Sequence, residues 1–240
     1  NIAKTMITVC MATYNGEKYI EEQLESVLMQ LHSNDEVIIS DDGSGDSTVD
    51  LIRTFNDPRI RLLVGNNFFS PTQNFENALK YAKGDYIFLC DQDDVWLPDK
   101  VESMLQYLLQ YDLVVSDCKV VDAELNVISQ SFFMGRSSGK GFWKNLIKNT
   151  YLGCCIAFRK EVLGYILPFP RNIAMHDIWI GLSVEMHSNS FFLPRQLILY
   201  RRHGSNVSFG GEGSKYSLMY KIKYRLCMLF YLLKRKYLNK

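Results

Sequence analysis

The chain has no long apolar run. Its longest purely apolar stretch is Leu226–Leu233, far short of the ~20 residues that span a bilayer, so no transmembrane helix is expected. Nor is an amino-terminal signal peptide expected, since no basic start leads into an apolar stretch. The six cysteines, Cys10, Cys90, Cys118, Cys154, Cys155 and Cys227, never fall in C-x-x-C spacing. Most sit in apolar, strand-like runs, which reads as buried free thiols in a reducing cytosol rather than a disulfide framework or a zinc site. Gly-x-Gly-x-x-Gly is missing after the first strand, against a dinucleotide-dependent oxidoreductase. A charge surplus is missing as well. The formal net charge is +1, and all 26 Asp and Glu fall within residues 1–214. A mildly acidic body offers no broad nucleic-acid footprint.

What is present suits one large α/β domain. The 240 residues are 47% hydrophobic, enough for a core. Strands are expected at Ile7–Ala12, Glu36–Ser40, Ile60–Val64, Tyr86–Cys90 and Leu113–Ser116. Between them the spacing predicts helices over Ile20–Leu31, Thr48–Phe55, Asn74–Ala82 and Pro98–Tyr111. The face Ile20, Leu24, Val27, Leu28 and Leu31 is near 3.6 periodicity. Repeated βα units imply parallel strands with right-handed crossovers. Polar and glycine-rich material at Ser131–Gly141 then breaks the pattern. Beyond it come a helix near Phe142–Lys148, a strand near Cys154–Phe158 and a helix beginning at His176-Asp177. The stretch Phe191–Tyr200 reads as two short strands broken by Pro194.

Two acidic clusters stand directly after expected parallel strands: Asp41-Asp42-Gly43-Ser44 and Asp91-Gln92-Asp93-Asp94. Open α/β sheets bind ligands at the carboxyl ends of their strands. Asp91 and Asp93, two apart on extended backbone, point the same way. Converging carboxylates repel unless a proton or cation joins them, so a hard divalent ion with a phosphate-bearing ligand fits. The plainer reading is local: Asp, Gly and Ser are common in turns, and Asp46 or Ser47 would cap a helix at Thr48.

The ordered series ITVCMATYNGEKYI, VIISDDGSGDST, GDYIFLCDQDDVW, GCCIAFRKEVL, MHDIWI and YRRHGSNVS resembles family-2 glycosyltransferases with the GT-A fold, across roughly residues 5–210. The Asp-Gln-Asp-Asp-Val-Trp, Met-His-Asp and Tyr-Arg-Arg-His-Gly-Ser-Asn runs are similar to the rhamnosyltransferase-like branch that builds bacterial surface polysaccharides. The resemblance implies a single catalytic domain over 1–214, with a nucleotide-sugar half (1–118), a smaller mixed acceptor half (119–214), and a mostly parallel sheet flanked by helices. It implies that Asp41 accepts the imide N–H of uracil or thymine, with Thr13, Tyr14 and Glu17 around the base and ribose. Asp91 faces ribose and donor sugar, Asp93 is the direct ligand to Mg²⁺ or Mn²⁺, and Asp94 is an additional acid. Asp177 occupies the position of the catalytic base, and the usual Glu-Asp pair here reads His176-Asp177. Arg201, Arg202 and His203 lie where a late loop closes on the diphosphate, with His203 as a second metal-side residue. The implied donor is a UDP- or dTDP-sugar, and the acceptor a glycan or lipid-linked hydroxyl. Trp96 and Trp179 are sugar- or acceptor-facing candidates, with core packing the alternative for both. Gly153 leaves room either for the donor sugar or for close strand packing.

The carboxyl-terminal stretch 215–240 holds eight Lys and Arg and no acid. On a helix, Met219, Ile222, Leu226, Leu229, Phe230, Leu233 and Tyr237 form one apolar stripe. Lys221, Arg225 and Arg235 fall opposite, Lys223 and Lys234 flank the stripe, and Tyr224, Met228 and Tyr231 lie on the back. A basic amphipathic helix suits an anionic membrane surface; packing on the domain or on a second subunit is the alternative. A cytoplasmic protein, peripheral on the inner membrane, is expected.

Two rival readings concern the same residues. Asp91-x-Asp93-x-Val95 also fits the nucleophile motif of a haloacid-dehalogenase-type phosphatase, which leaves DDGSGDST and MHDIWI unexplained. A catalytically silent, membrane-bound partner of other transferases would have no need of Asp41, Asp91, Asp93 and Asp177 together.

Overall fold

The computed structural model describes residues 5–171, 173, 175–204 and 217–238. The expected boundary at 214/215 and the Ser205-Asn206 end of the last motif lie outside the described residues. Among the described residues, nine strands form one sheet in the order β3-β2-β1-β4-β8-β6-β9-β5, with β7 on β6. The strands are β1 (Ile7–Thr13), β2 (Glu36–Asp41), β3 (Ile60–Leu63), β4 (Tyr86–Asp91), β5 (Val95–Trp96), β6 (Leu113–Val121), β7 (Val127–Ser129), β8 (Ile156–Arg159) and β9 (Ser190–Arg201). β1 to β4 are mutually parallel, and β9 runs parallel to β6. β8 is antiparallel to both β4 and β6, and β5 is antiparallel to β9. Strands contributed from beyond residue 118 therefore complete a sheet begun before it.

The helices are α1 (Ile20–Leu28), α2 (Thr48–Thr54), α3 (Pro71–Leu79), α4 (Lys100–Leu108), α5 (Phe132–Arg136), α6 (Phe142–Ile147), α7 (Leu163–Ile166), α8 (His176–His187) and α9 (Leu218–Leu238). The central strands bury Val9, Met11, Ile38 and Phe88 completely. Each such side chain contributes roughly 1.5–3 kcal/mol by leaving water. β1 lies between β2 and β4, packs against α3 and is buried along almost its whole length, which fits its near-continuous apolar run.

Several boundaries differ from expectation for local reasons. α3 starts three residues early, because the Ser70 hydroxyl accepts the Gln73 N–H at 3.4 Å and Pro71 stands in the first turn. α5 lies inside the stretch expected to be loop, capped by Ser131, whose hydroxyl accepts the Met134 N–H at 3.0 Å. β6 continues past Ser116 through Asp117. That buried carboxylate accepts from Ser131 Oγ (2.6 Å), Gln196 Nε2 (2.8 Å) and the N–H groups of Cys118 and Phe133, so a charge that reads as a strand end is satisfied inside the sheet. Phe191–Tyr200 is part of one strand, not two. The register passes from Ser116↔Leu193 to Asp117↔Gln196, so Pro194 sits in a bulge where its missing N–H costs no ladder bond.

Candidate active site

Register brings the two acidic clusters to one edge. Thr13 lies beside Asp41 on β1–β2, and Ala12 beside Asp91 on β1–β4. The first cluster is hydrogen-bonded within the protein. Asp41 Oδ1 accepts the N–H groups of Gly43 (3.1 Å) and Ser44 (2.9 Å), and Oδ2 accepts the hydroxyls of Ser44 (2.6 Å) and Thr13 (2.9 Å). Asp42 accepts the N–H groups of Phe68 (2.5 Å) and Ser70 (3.0 Å). Gly43, at φ +79°, has the left-handed backbone this turn requires. Thr13 is buried, whereas Tyr14 is 50% exposed. Glu17 accepts the Ser47 N–H at the start of α2, while its own N–H donates to Asp46. Asp46 also accepts from the backbone and hydroxyl of Thr48, so Asp46, not Ser47, supplies the side-chain oxygen at that helix start.

The second cluster is organised differently. Asp93 Oδ2 lies 2.8 Å from His203 Nε2. Asp94 is fully buried; its Oδ1 accepts the Arg201 N–H at 2.9 Å, and its Oδ2 has no hydrogen-bond partner among the described residues. Burial, with Asp93 and Asp177 nearby, pushes Asp91 up to about 8. Burial, with Asp93 and Asp91, pushes Asp94 well above the usual carboxylate range. Oxygens of Asp91 and Asp94 and the sulfur of Cys154 lie within 4.8 Å of one another. Burial holds the Cys154 thiol protonated, so the cluster presents oxygen rather than thiolate.

Arg201 is buried and used internally. It donates to the Asp93 carbonyl (2.8 Å) and the Ala123 carbonyl (2.7 Å), pairs with Glu22 and lies 4.6 Å from the Tyr19 ring. Tyr19 in turn packs against His203, ring centroids 4.9 Å apart. Arg202 is half-buried beside them. Arg201 thus ties α1, β9 and the Asp93 turn together. Gln92 does the same from the other side: its amide accepts the Tyr14 N–H (2.8 Å) and donates to the Tyr14 carbonyl (3.0 Å). Any side chain on Gly16 would collide with that amide. Gln92, Gly16, Tyr19 and Glu22 went unnoticed in the sequence because only their partners, distant in the chain, give them a role.

Asp177 stands in the first turn of α8, enclosed by protein. It accepts from Asn149 Nδ2 (3.2 Å) and the Ile178 N–H (2.6 Å). Burial raises it to about 6, opposed by those hydrogen bonds and by Arg136. Arg136 has a buried Nε without a hydrogen-bond partner among the described residues; neither it nor Asn149 carried a sequence signal. His176 stacks on Phe75 with centroids 4.1 Å apart, and burial lowers it to about 3, so it is neutral. Its Nε2 would lie 2.6 Å from a Cβ on Gly153, so the space beside Gly153 is filled by this imidazole. Both of these candidate tryptophans, Trp96 and Trp179, are core. Trp96 is 2% exposed and lies 5.8 Å from Phe88. Trp179 is fully buried, donates to the Ile166 carbonyl at 3.0 Å and carries the Arg235 guanidinium over its ring. Both side chains are packed inside the protein.

A mixed sheet whose parallel strands carry two acidic turns at their carboxyl ends, with an Asp–His pair and a separate enclosed carboxylate, has the architecture of a GT-A glycosyltransferase. The chain belongs to glycosyl transferase family 2, whose sequence model matches residues 8–167. It is 27% identical, over 77% of its length and 71% of the relative's, to the UDP-Glc:alpha-D-GlcNAc-diphosphoundecaprenol beta-1,3-glucosyltransferase WfgD of Escherichia coli. It is 29% identical, over 90% of its length and 81% of the relative's, to the dTDP-rhamnosyl transferase RfbG of Shigella flexneri. The fold matches S. aureus TarS in complex with UDP-GlcNAc at a TM-score of 0.74, with 19% identity, covering 95% of this chain and 66% of that one. The family match includes both acidic clusters, and neither the phosphatase nor the silent-partner reading finds support.

Proposed function

We propose that the protein transfers a sugar from a UDP- or dTDP-sugar, with inversion, to a hydroxyl of a lipid-linked or glycan acceptor in bacterial surface polysaccharide synthesis. The observation that carries this is the pairing of a carboxylate turn, Asp91 to Asp94, in which burial and neighbouring carboxylates raise Asp91 and Asp94, with a separate enclosed carboxylate, Asp177, whose charge reaches Asp91. The two relatives divide between UDP and dTDP donors, so both nucleotides stay in the proposal.

Asp177 accepts the proton of the acceptor hydroxyl as its oxygen bonds to the anomeric carbon and the nucleoside diphosphate departs. A carboxylate raised to about 6 is a stronger base than an ordinary one and is still ionised at neutral pH. One displacement needs no second carboxylate nucleophile. At the other end, the nucleobase imide would take up an Asp41 oxygen now held by the Ser44 hydroxyl. Oxygen and imidazole donors with an orphaned buried carboxylate oxygen suit Mg²⁺ or Mn²⁺. Asp93 and His203 would hold it, with Asp91 alongside. When bound, the ion supplies positive charge against the leaving diphosphate. Arg136, facing Asp177, fits an acceptor that itself carries phosphate, as the diphospholipid acceptor in the WfgD name does. The setting is the cytoplasmic face of the inner membrane.

A thermal-shift panel of nucleotide sugars with and without Mn²⁺ tests the reading, because stabilisation grows with ligand over Kd. A UDP- or dTDP-sugar is expected to raise Tm only with the metal. No nucleotide-sugar dependence under either condition would overturn the reading.

A further inference from the structure

The carboxyl-terminal helix is mounted with its apolar stripe facing away from the body. Of the stripe residues, Met219 (79% exposed), Ile222, Leu226 (62%), Phe230 (61%), Leu233 and Tyr237 are exposed along nearly the whole of α9. At 1.5 Å per residue they run about 27 Å. The packed face is the other one, carried by Met228 and Leu232, each 1% exposed.

Basic side chains fix that orientation. Arg225 donates to the Leu146 (2.9 Å) and Ile147 (2.6 Å) carbonyls at the end of α6. Arg235 donates to the carbonyls of Tyr165 (3.0 Å) and Pro168 (2.5 Å) around the end of α7. Lys236 donates to the Met186 carbonyl at the end of α8 (2.7 Å). The last carbonyls of a helix lack intrahelical donors and carry partial negative charge. Three cations of α9 therefore act as caps for three other helices, and turning the stripe inward would break all of these bonds. Beside the capped end of α6, Trp143 (65%) and Ile147 (67%) are exposed as well. A single scattered apolar residue needs no explanation, but six exposed apolar side chains along one face of one helix do.

We propose that the outward stripe of α9, with Trp143 and Ile147 of α6, is a docking face for an anionic lipid surface, on which α9 lies in the interfacial plane. Charge selects this occupant. Residues 215–240 contain no acid, and Lys223 and Lys234, both exposed, flank the stripe. Two copies meeting through this stripe would bring like charges together, whereas anionic headgroups complement them. No helix among the described residues is long and apolar enough to cross a membrane, and the caps hold α9 flat against the body. The face deepens the proposed function: α6 leads directly to Asn149, which hydrogen-bonds Asp177, so an acceptor anchored in the bilayer would meet the base from this side.

Sedimentation of the full chain with phosphatidylcholine vesicles, with and without phosphatidylglycerol, tests the face. Binding is expected only with the anionic lipid and should weaken as salt rises. Leu226→Glu with Phe230→Glu should weaken it by on the order of tenfold or more, and Lys223→Glu with Lys234→Glu should also weaken it. Met29→Glu, at an exposed position on another element, should leave it unchanged. Transfer to a short-chain, soluble acceptor should survive in these variants, which separates failure of the face from failure of the enzymatic reading. Equal binding to neutral vesicles, or unchanged binding in both double variants, overturns the proposal. A dimer seen by light scattering that the Leu226/Phe230 pair dissociates would instead assign the stripe to a second copy. A melting curve checks folding, and the lysine pair carries the test if the apolar pair unfolds.

Discussion

The two acidic turns follow neighbouring parallel strands and look alike in sequence, yet the fold treats them oppositely. Around Asp41 and Asp42, six donors from the turn, from β1 and from the segment before α3 converge on two carboxylates. Their charge is compensated when the chain folds. Around Asp91 to Asp94, carboxylates raise one another, one oxygen of Asp94 has no hydrogen-bond partner among the described residues, and the His203 imidazole lies against Asp93. A buried charge without donors costs far more than one with them. The first turn is a finished hydrogen-bonded structure that a ligand can borrow. The second gathers carboxylates whose mutual repulsion a cation or protons would relieve.

The largest effect is expected from the carboxylate that belongs to neither turn. Asp177→Asn keeps shape and loses basicity, so transfer should fall on the order of 10²–10⁴-fold, while donor affinity stays within a few-fold. Rapid-quench kinetics with separate donor titration reads both; a variant transferring at the parent rate removes Asp177 as base. Below pH 6 the unsubstituted enzyme should lose kcat/KM as Asp177 gains its proton.

Next comes the metal side of the comparison. Asp93→Ala should weaken UDP or dTDP binding in Mn²⁺ by at least roughly 10–100-fold, the scale at which even outer-sphere partners act. In chelator the two proteins should bind alike. Calorimetric titrations giving equal affinities in Mn²⁺ would dissolve the distinction between the turns.

Stability should divide the turns directly. Asp41→Asn presents an N–H to two hydroxyls that now donate to Oδ2, at a cost of about 1–3 kcal/mol. Asp94→Asn keeps an acceptor for the Arg201 N–H and removes a buried ionisable group. It should cost no more than about 1 kcal/mol, or stabilise, in chelator at neutral pH. Urea unfolding reads both, and equal losses would contradict the contrast.

The smallest effect is a pH slope. Folded Asp91 is raised to about 8 from 3.8, so between those values the folded state binds more protons than the unfolded one. Stability in chelator should therefore fall as pH rises from about 4 to about 8. The loss should reach at least ~2–4 °C in Tm, the scale of 1 kcal/mol at this size, and Mn²⁺ should reverse it at the upper end. A flat profile in chelator would mean the second turn is compensated after all.

Much of this was legible in the linear chain. The βα repeat, the parallel strands ending in Asp41 and Asp91, and Asp177 at a helix start all follow from periodicity and position, because local pattern determines element type and element ends determine where a sheet binds. The outward stripe of α9 was also legible as a stripe, though not the direction it faces.

What the tertiary structure alone decided is where each charge finds its partner. Asp117 reads as a strand end and is the centre of a buried hydrogen-bond cluster. Trp96, Trp179 and Gly153 read as either sugar-facing or packing, and the structure buries both tryptophans and sets the His176 ring against Gly153. Arg201 reads as a phosphate ligand and is buried among carbonyls of the turn it braces. Arg225 and Arg235 read as part of one basic face and, together with Lys236, cap three separate helices. A sequence specifies which groups carry charge, but the free energy of each depends on donors brought from 28 to 179 residues away, and only the closed sheet with its docked helices sets those distances.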